Sequence, residues 1–452
     1  RYTNQLLRFN KTWDKHALNG IVAYEFNDFN EKIIDIYGTG FLPGFEVLDV
    51  VAKPERTKGS INEWATQSYL ANANYAYDNR YLAQASFRRD GASNFGTDVK
   101  YGNFFSISGA WNIHNESWFN VDKINNLKLR AAYGSVGNKP TSLYPQYDLY
   151  AITSQSGYNG TPGALISQIG NPNLQWENTY TAGVGVDAGF FNNRLRLTAD
   201  YYNKTTDNVL FQVPVTGLIG VTSIWRNVGE MQNRGYELTI GGDIIKKGDW
   251  LWSMDLNLGH NKNKLTDLYK TLQNGELVSK PIIAGDNSGI AGSAQRLLEI
   301  GAPVDTYYMI EWAGVNPDNG KPMWYKDDLD AEGNVIGQSK TEKYADGTYR
   351  KMGKAAADLF GGFGTFVAYK DFDLTANFGF SIGGQKYNYA RQELDADGAY
   401  VDRNQMKLQD GWSRWEKPGD VATHPVARYN NANNGNKASS RYLESNDFLR
   451  LR

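Results

Sequence analysis

Cysteine is absent from the 452 residues, which excludes a disulfide framework, a thiolate metal site and a cysteine nucleophile. No run of 18 apolar residues occurs, so the sequence offers no membrane-spanning helix. Charge of one sign is missing too: 47 Lys and Arg stand against 49 Asp and Glu, a formal net charge of −2. A nucleic-acid partner normally shows as a basic stripe, and this balance gives no electrostatic reason to expect one. Proline is modest at 13. The chain opens on Arg1-Tyr2-Thr3-Asn4 without an apolar leader, and Phe448-Leu449-Arg450-Leu451-Arg452 reads as a strand stopped part-way. The expectation is a piece of a longer polypeptide.

Glycine is abundant at 47 and aromatics reach 13%, a mixture that favours many strands and turns over disorder. The mean hydropathy of −0.55 is that of a water-soluble protein. A transmembrane barrel averages out just as polar, because only alternate residues face lipid. Composition therefore leaves a β-sandwich, a propeller and an outer-membrane barrel.

Period-two alternation separates these. From Trp176 one face carries Tyr180, Ala182, Val184, Val186, Ala188 and Phe190, and the other Glu177, Thr179, Thr181, Gly183, Gly185 and Asp187. Phe372, Leu374, Ala376, Phe378, Phe380 and Ile382 oppose Asp373, Thr375, Asn377, Gly379 and Ser381 in the same way. Tyr81/Ala83/Ala85/Phe87, Leu127/Leu129/Ala131/Tyr133 and Trp250/Trp252/Met254/Leu256/Leu258 repeat the pattern. About thirteen such strands of roughly 10–14 residues are expected, longer than globular strands and suited to a tilted membrane crossing.

Their connections alternate in length. Short turns are expected at Asp14-Lys15, Asp78-Asn79, Asn192-Asn193, Lys247-Gly248-Asp249 and Lys370-Asp371, and long polar excursions over 28–63, 138–175, 207–226, 264–358 and 385–440. That asymmetry is the layout of an antiparallel transmembrane β-barrel with short periplasmic turns and long extracellular loops. Trp13, Tyr77, Tyr81, Trp111, Trp176, Tyr201, Tyr202, Trp225, Trp250 and Trp252 fall near strand ends, where an interfacial girdle places its rings. Ordinary packing explains any one of them equally well.

Several phrases, in this order, resemble the SusC-type (SusC/RagA-like) TonB-dependent outer-membrane transporters of Bacteroidota. They are His16-Ala17-Leu18-Asn19-Gly20, Arg88-Arg89-Asp90-Gly91-Ala92-Ser93-Asn94-Phe95-Gly96 and Ala132-Tyr133-Gly134-Ser135-Val136-Gly137-Asn138. Asn171-Pro172-Asn173-Leu174-Gln175-Trp176-Glu177, Asn233-Arg234-Gly235-Tyr236-Glu237, Gly314-Val315-Asn316-Pro317-Asp318-Asn319-Gly320 and Phe448-Leu449-Arg450-Leu451-Arg452 continue the series. The resemblance implies that 1–452 is part of a barrel of about 22 strands, with the plug, the TonB box and the final strands outside this sequence. It further implies an active importer of oligosaccharides or peptides. Its expected partners are a SusD-like lid lipoprotein, the TonB–ExbB–ExbD complex and outer-membrane lipid, with transporter–lipoprotein pairs forming a dimer. The alternatives are a siderophore or cobalamin receptor without a lid, and a secreted β-rich glycan-binding protein.

No catalytic constellation is present, and neither enzymatic activity nor a cofactor is expected. His16, His114, His260 and His424 lie far apart, without paired ligand spacing. Asp328 and Asp330 open a segment that resembles a calcium loop, but the acidic residue expected at its twelfth position is missing, and a solvated turn is the plainer reading. Recognition therefore falls to loop aromatics, which form platforms for sugars and peptides. The candidates are Tyr307, Tyr308, Trp312, Trp324 and Tyr325 in one loop, Trp412 and Trp415 in another, and Tyr158 beside Tyr144, Tyr147 and Tyr150 in a third. The competing reading is that these rings brace long loops against one another.

Overall fold

Alternating sequences of this length satisfy their backbone groups in ladders, and the described residues do so in a sheet of thirteen strands, all long except the last, which has four residues. They are β1 (Tyr2–Trp13), β2 (His16–Phe41), β3 (Val51–Tyr77), β4 (Tyr81–Ala92), β5 (Tyr101–Asn112), β6 (Ile124–Asn138) and β7 (Glu177–Phe190). After them come β8 (Leu195–Asp207), β9 (Glu230–Lys247), β10 (Trp250–Asp267), β11 (Leu359–Tyr369), β12 (Phe372–Ile382) and β13 (Phe448–Leu451). The computed structural model describes every residue except Glu46, Gly160 and Asn274, and leaves aside the side chains of 153–156, Tyr158 and Pro162. Strand order in the sheet follows the sequence, with β1 and β13 as its two unclosed ends. By contact the chain divides into two compact units, 1–186 with 203–230 and 187–202 with 231–452.

Within the first unit β1 to β6 pair in antiparallel order, for example Leu7↔Val22, Tyr75↔Ala83, Ala85↔Ile107 and Trp111↔Leu129, with a register shift between Tyr37 and Gly38 where β2 meets β3. One face of this sheet is apolar and open: Leu7, Phe9, Val22, Phe87, Ile107, Leu129 and Tyr133 are all exposed. The other face is polar and internally bonded. Arg88 donates to Glu25 at 3.1 Å, Ser68 at 3.0 Å and Asp90 at 2.6 Å, Ser86 meets Ser106 at 2.6 Å, and Asn74 donates to Asn72 at 2.7 Å. In the second unit β10, β11 and β12 pair without a break, and Phe363 stacks on Phe378 at 4.7 Å.

All five expected short turns are present, and left-handed backbone explains their sequences. Asp14, Asp78, Asn79, Asn192 and Asn193 have φ between 47 and 59°, where Asn and Asp are tolerated better than other side chains. Lys370 and Phe191 occupy the same region without that advantage. At this end of the first unit rings follow one another across the strands. Trp13 stacks on His16 at 5.3 Å, His16 meets Tyr77 at 5.1 Å, Tyr77 meets Tyr81 at 6.5 Å and Tyr81 meets Trp111 at 6.4 Å. In the second unit Trp250 stacks on Tyr369 at 4.3 Å.

Two expectations are corrected. Residues 28–63 are not one loop: β2 and β3 continue as a two-stranded ribbon to Phe41 and from Val51. Adjacent Ile33-Ile34, Pro54 and Gly59 break the alternation that would have marked strands. Cross-strand polar pairs hold the ribbon instead, with Asn62 bonded to Glu31 at 3.0 Å and Arg56 to Asp35 at 2.9 Å. Trp176 and Trp225 are not girdle rings either. Trp176 lies buried with Ala92, Phe95, Phe104 and Leu174, Trp225 packs against that cluster, and the Trp176 indole donates to the Lys100 carbonyl at 3.1 Å.

Candidate functional site

The connections opposite the short turns hold the built structure. In the second unit, residues 268–358 and 383–447 interlock into one folded body. Among the described residues the first carries nine short strands, including Thr306–Ile310, Trp312–Val315, Pro322–Leu329 and Tyr349–Lys354. The second carries a short α-helix, Tyr389–Leu394, whose start is capped by the Asn388 side chain accepting from the Arg391 N–H at 2.9 Å.

The two segments share an apolar cluster. Tyr307 and Met309 pack with Tyr387, Ala438 and Tyr442, and the Tyr387 N–H donates to the Tyr307 hydroxyl at 3.0 Å. Ile310, Trp324 and Tyr344 form a second cluster, with Trp312 edge-on to Trp324 at 5.9 Å. Burial pushes the Tyr344 and Tyr387 hydroxyls well above their ordinary range. Trp415 donates to the Pro317 carbonyl at 2.8 Å, and Gly320, at φ 70°, leaves room for the Trp415 ring where a side chain would collide.

The candidate rings are therefore not equivalent. Tyr307 and Trp324 are buried, and a buried ring offers no face to cargo. Tyr308, Trp312, Tyr325, Trp412 and Trp415 are half-buried, each held by a neighbour: Tyr349, Trp324, Lys340, His424 and Pro317 respectively. In the first unit Tyr147 and Tyr150 are exposed, whereas the Tyr144 hydroxyl accepts from the Glu63 N–H at 2.8 Å. The Tyr158 side chain lies outside the described residues.

Sequence reasoning missed the ionic centre of the 383–447 segment. Asp395 accepts from His424 at 2.8 Å and lies 3.4 Å from Arg441 and 3.5 Å from Arg391. Asp397 binds Arg414 at 2.6 Å and also pairs with Arg441. Asp395, Asp397, His424 and Arg441 are all buried. Burial raises the Asp395 carboxyl, but the His424 hydrogen bond and the charges of Arg441, His424 and Arg391 outweigh it and hold the group below its ordinary value. These residues are scattered over about fifty positions, so no local spacing announces them.

Asp328 and Asp330 have oxygens engaged within their own hairpin. Asp330 accepts from the N–H groups of Glu332 at 3.1 Å and Asn334 at 2.7 Å, and Asp328 accepts from the Ser339 hydroxyl at 2.6 Å. Asn334 holds the Asp330 carboxyl below its ordinary value. Among the described residues no group of three or more His, Asp or Glu could hold a metal ion.

On the polar face of the second unit amides form a ladder. Asn261 and Asn263 both donate to Asn233, at 3.1 and 3.0 Å, and Tyr202 donates to Asn261 at 3.1 Å.

Residues 1–400 match the family model described as TonB dependent receptor-like, beta-barrel. TonB-dependent receptor P3 of Formosa agariphila is 27% identical, covering 99% of this chain and 44% of that protein. TonB-dependent receptor SusC of Bacteroides thetaiotaomicron is 28% identical, over 76% of this chain and 34% of that protein. A solved structure of the RagAB peptide transporter superposes with a TM-score of 0.78 at 25% identity, covering all of this chain and 48% of that one. The chain spans less than half the length of these relatives.

Proposed function

This chain belongs to the TonB-dependent receptor-like β-barrel family, and from that premise we propose that it forms wall and mouth of an active importer of oligomeric nutrients. Barrels of this family lie in the outer membrane, and the exposed apolar face of the sheet is what lipid requires. The observation that carries the proposal is the pairing of that face with a polar one. Asn72, Asn74, Ser86 and Ser106 in one unit, and Asn233, Asn261 and Asn263 in the other, set amides and hydroxyls along it. Many weak, exchangeable hydrogen bonds let a polar oligomer advance without being trapped at any one of them.

The interlocked 268–358 and 383–447 segments act as the mouth. Their half-buried rings offer apolar platforms for sugar rings or peptide side chains. A SusD-like lipoprotein closes over this mouth, and TonB, with ExbB and ExbD, supplies the pull from the opposite side. A peptide or an oligosaccharide is the cargo. Resemblance to a peptide transporter supports the first, and resemblance to SusC is compatible with either.

The experiment is growth of a strain lacking the gene on oligomers and on their monomers. Failure on one oligomer class with normal growth on its monomer supports import and names the cargo. Equal growth on every oligomer, together with a defect in low iron, points instead to a siderophore receptor and overturns the proposal.

A further inference from the structure

The polar face of the first unit ends, away from the short turns, in a ring and an ammonium. Trp64 stands on the same side of β3 as Ser68, Asn72 and Asn74, because alternate residues of one strand share a face. It is half-buried and stacks on its cross-strand partner Phe29, with ring centroids 5.4 Å apart. This pair lies at the root of the β2–β3 ribbon, just past Asn27 and Thr66, where pairing with β1 and β4 stops. Lys139, the residue that follows β6, sets its ammonium 5.3 Å from the centre of the Trp64 ring. The same ammonium donates to the Asn94 side-chain oxygen at 3.4 Å. Asn94 is fully buried, and its amide donates to the Ser142 carbonyl at 2.7 Å, so the group that positions Lys139 is itself fixed.

Neither the ring nor the amide carries a negative charge. The carboxylates of the adjoining strands are engaged elsewhere: Glu31 accepts from Asn62 at 3.0 Å, Glu63 from Asn30, and Glu25 from Arg88 at 3.1 Å. Among the described residues no carboxylate pairs with Lys139, and burial alone pulls its ammonium below its ordinary range. A half-buried ammonium with only a ring and an amide beside it keeps a desolvation cost, which an arriving anion offsets.

We infer that Trp64, Asn94 and Lys139 form a cargo subsite for a carboxylate at the head of the polar face, with Lys139 as its specificity-determining residue. The inference rests on the import reading above and narrows its cargo to oligomers that carry carboxylates. An acidic peptide supplies them as Asp, Glu or its C-terminus, and an acidic oligosaccharide supplies them as uronate. Either presents a carboxylate next to an apolar surface, which matches an ammonium lying against an indole face. A compact ammonium also accepts a carboxylate in many orientations, as a cargo in motion requires, whereas a guanidinium fork holds it in one.

The test uses the full-length transporter in cells, beside cells without the gene. Both receive a pooled peptide digest and a pooled oligosaccharide hydrolysate containing uronates, each before and after its carboxyls are converted to amides. Mass spectrometry reads which oligomers leave the medium only where the gene is present. Carboxylate-bearing oligomers should be the ones lost, and amidation should slow their loss about tenfold or more, the size of one charge-assisted hydrogen bond. Lys139→Gln should slow them equally at unchanged barrel abundance, and Lys139→Arg should restore most of the rate. Whether the lost species are peptides or uronates names the source of the carboxylate. Amidated oligomers taken up as fast as their parents overturn the subsite while import stands, and this arm needs no variant to fold. Full-rate uptake by Lys139→Gln overturns it equally. No gene-dependent loss from either pool overturns the import reading beneath it.

Discussion

Asp395 and His424 meet at 2.8 Å in a place where both side chains are almost completely shielded from water. Arg441 completes the centre by joining Asp395 to Asp397. Arg441→Met should therefore leave two buried carboxylates short of their shared cation. Breaking a buried pair on one side costs about 3–5 kcal/mol. Limited proteolysis should find 383–447 newly cleavable while the sheet resists, and unchanged protection would show that the centre is dispensable.

The same centre sets an acid limit. A carboxyl held below its ordinary value in the folded chain stabilises the fold at every pH above its unfolded value, near 3.9, and loses that contribution as pH falls through the folded value. Hydrogen-exchange protection of 383–447, taken relative to the intrinsic rate at each pH, should be flat from neutrality to about pH 5 and should fall below about pH 4. Protection already lost at pH 6 would contradict this assignment.

The two faces of β12 should respond differently to charge. Phe378→Arg should cost about 2–4 kcal/mol if it sits near the bilayer midplane, and Asn377→Arg much less. Unfolding of both variants in lipid measures the difference. Equal costs would sink the alternation on which the membrane reading depends.

Sidedness is open to labelling in intact cells. Cysteines at Asn192 or Lys370, in short turns, should stay unlabelled by an impermeant reagent, and one at Asn159 should react. Labelling of Asn192→Cys would invert the assignment of periplasmic and extracellular ends.

How far the sequence could be read depended on the range of each interaction. The wall was legible because Phe378/Asn377 alternation and Asn192-Asn193 turns are local patterns, fixed by strand geometry and left-handed backbone. The β2–β3 ribbon was not, since Asn62 reaches Glu31 and Arg56 reaches Asp35 only after the ladder has formed. In the loops, composition pointed to the rings but could not rank them. Trp324 and Tyr325 are adjacent in sequence, yet one is fully enclosed and the other only partly. The centre formed by Asp395, Asp397, Arg414, His424 and Arg441 had no local signal at all, because the 383–447 segment must fold back before its charges meet.

Energised import through the mouth is the central claim, and uptake of a labelled cargo oligomer by intact cells tests it most directly. Cells carrying the transporter should accumulate the oligomer, and accumulation should collapse when the proton gradient is discharged. It should also fall several-fold when Tyr308, Trp312, Tyr325, Trp412 and Trp415 are all changed to Ala, with barrel abundance unchanged, since a few rings carry most contact energy. Accumulation that survives loss of the gradient, or that is the same with and without the gene, would contradict the account.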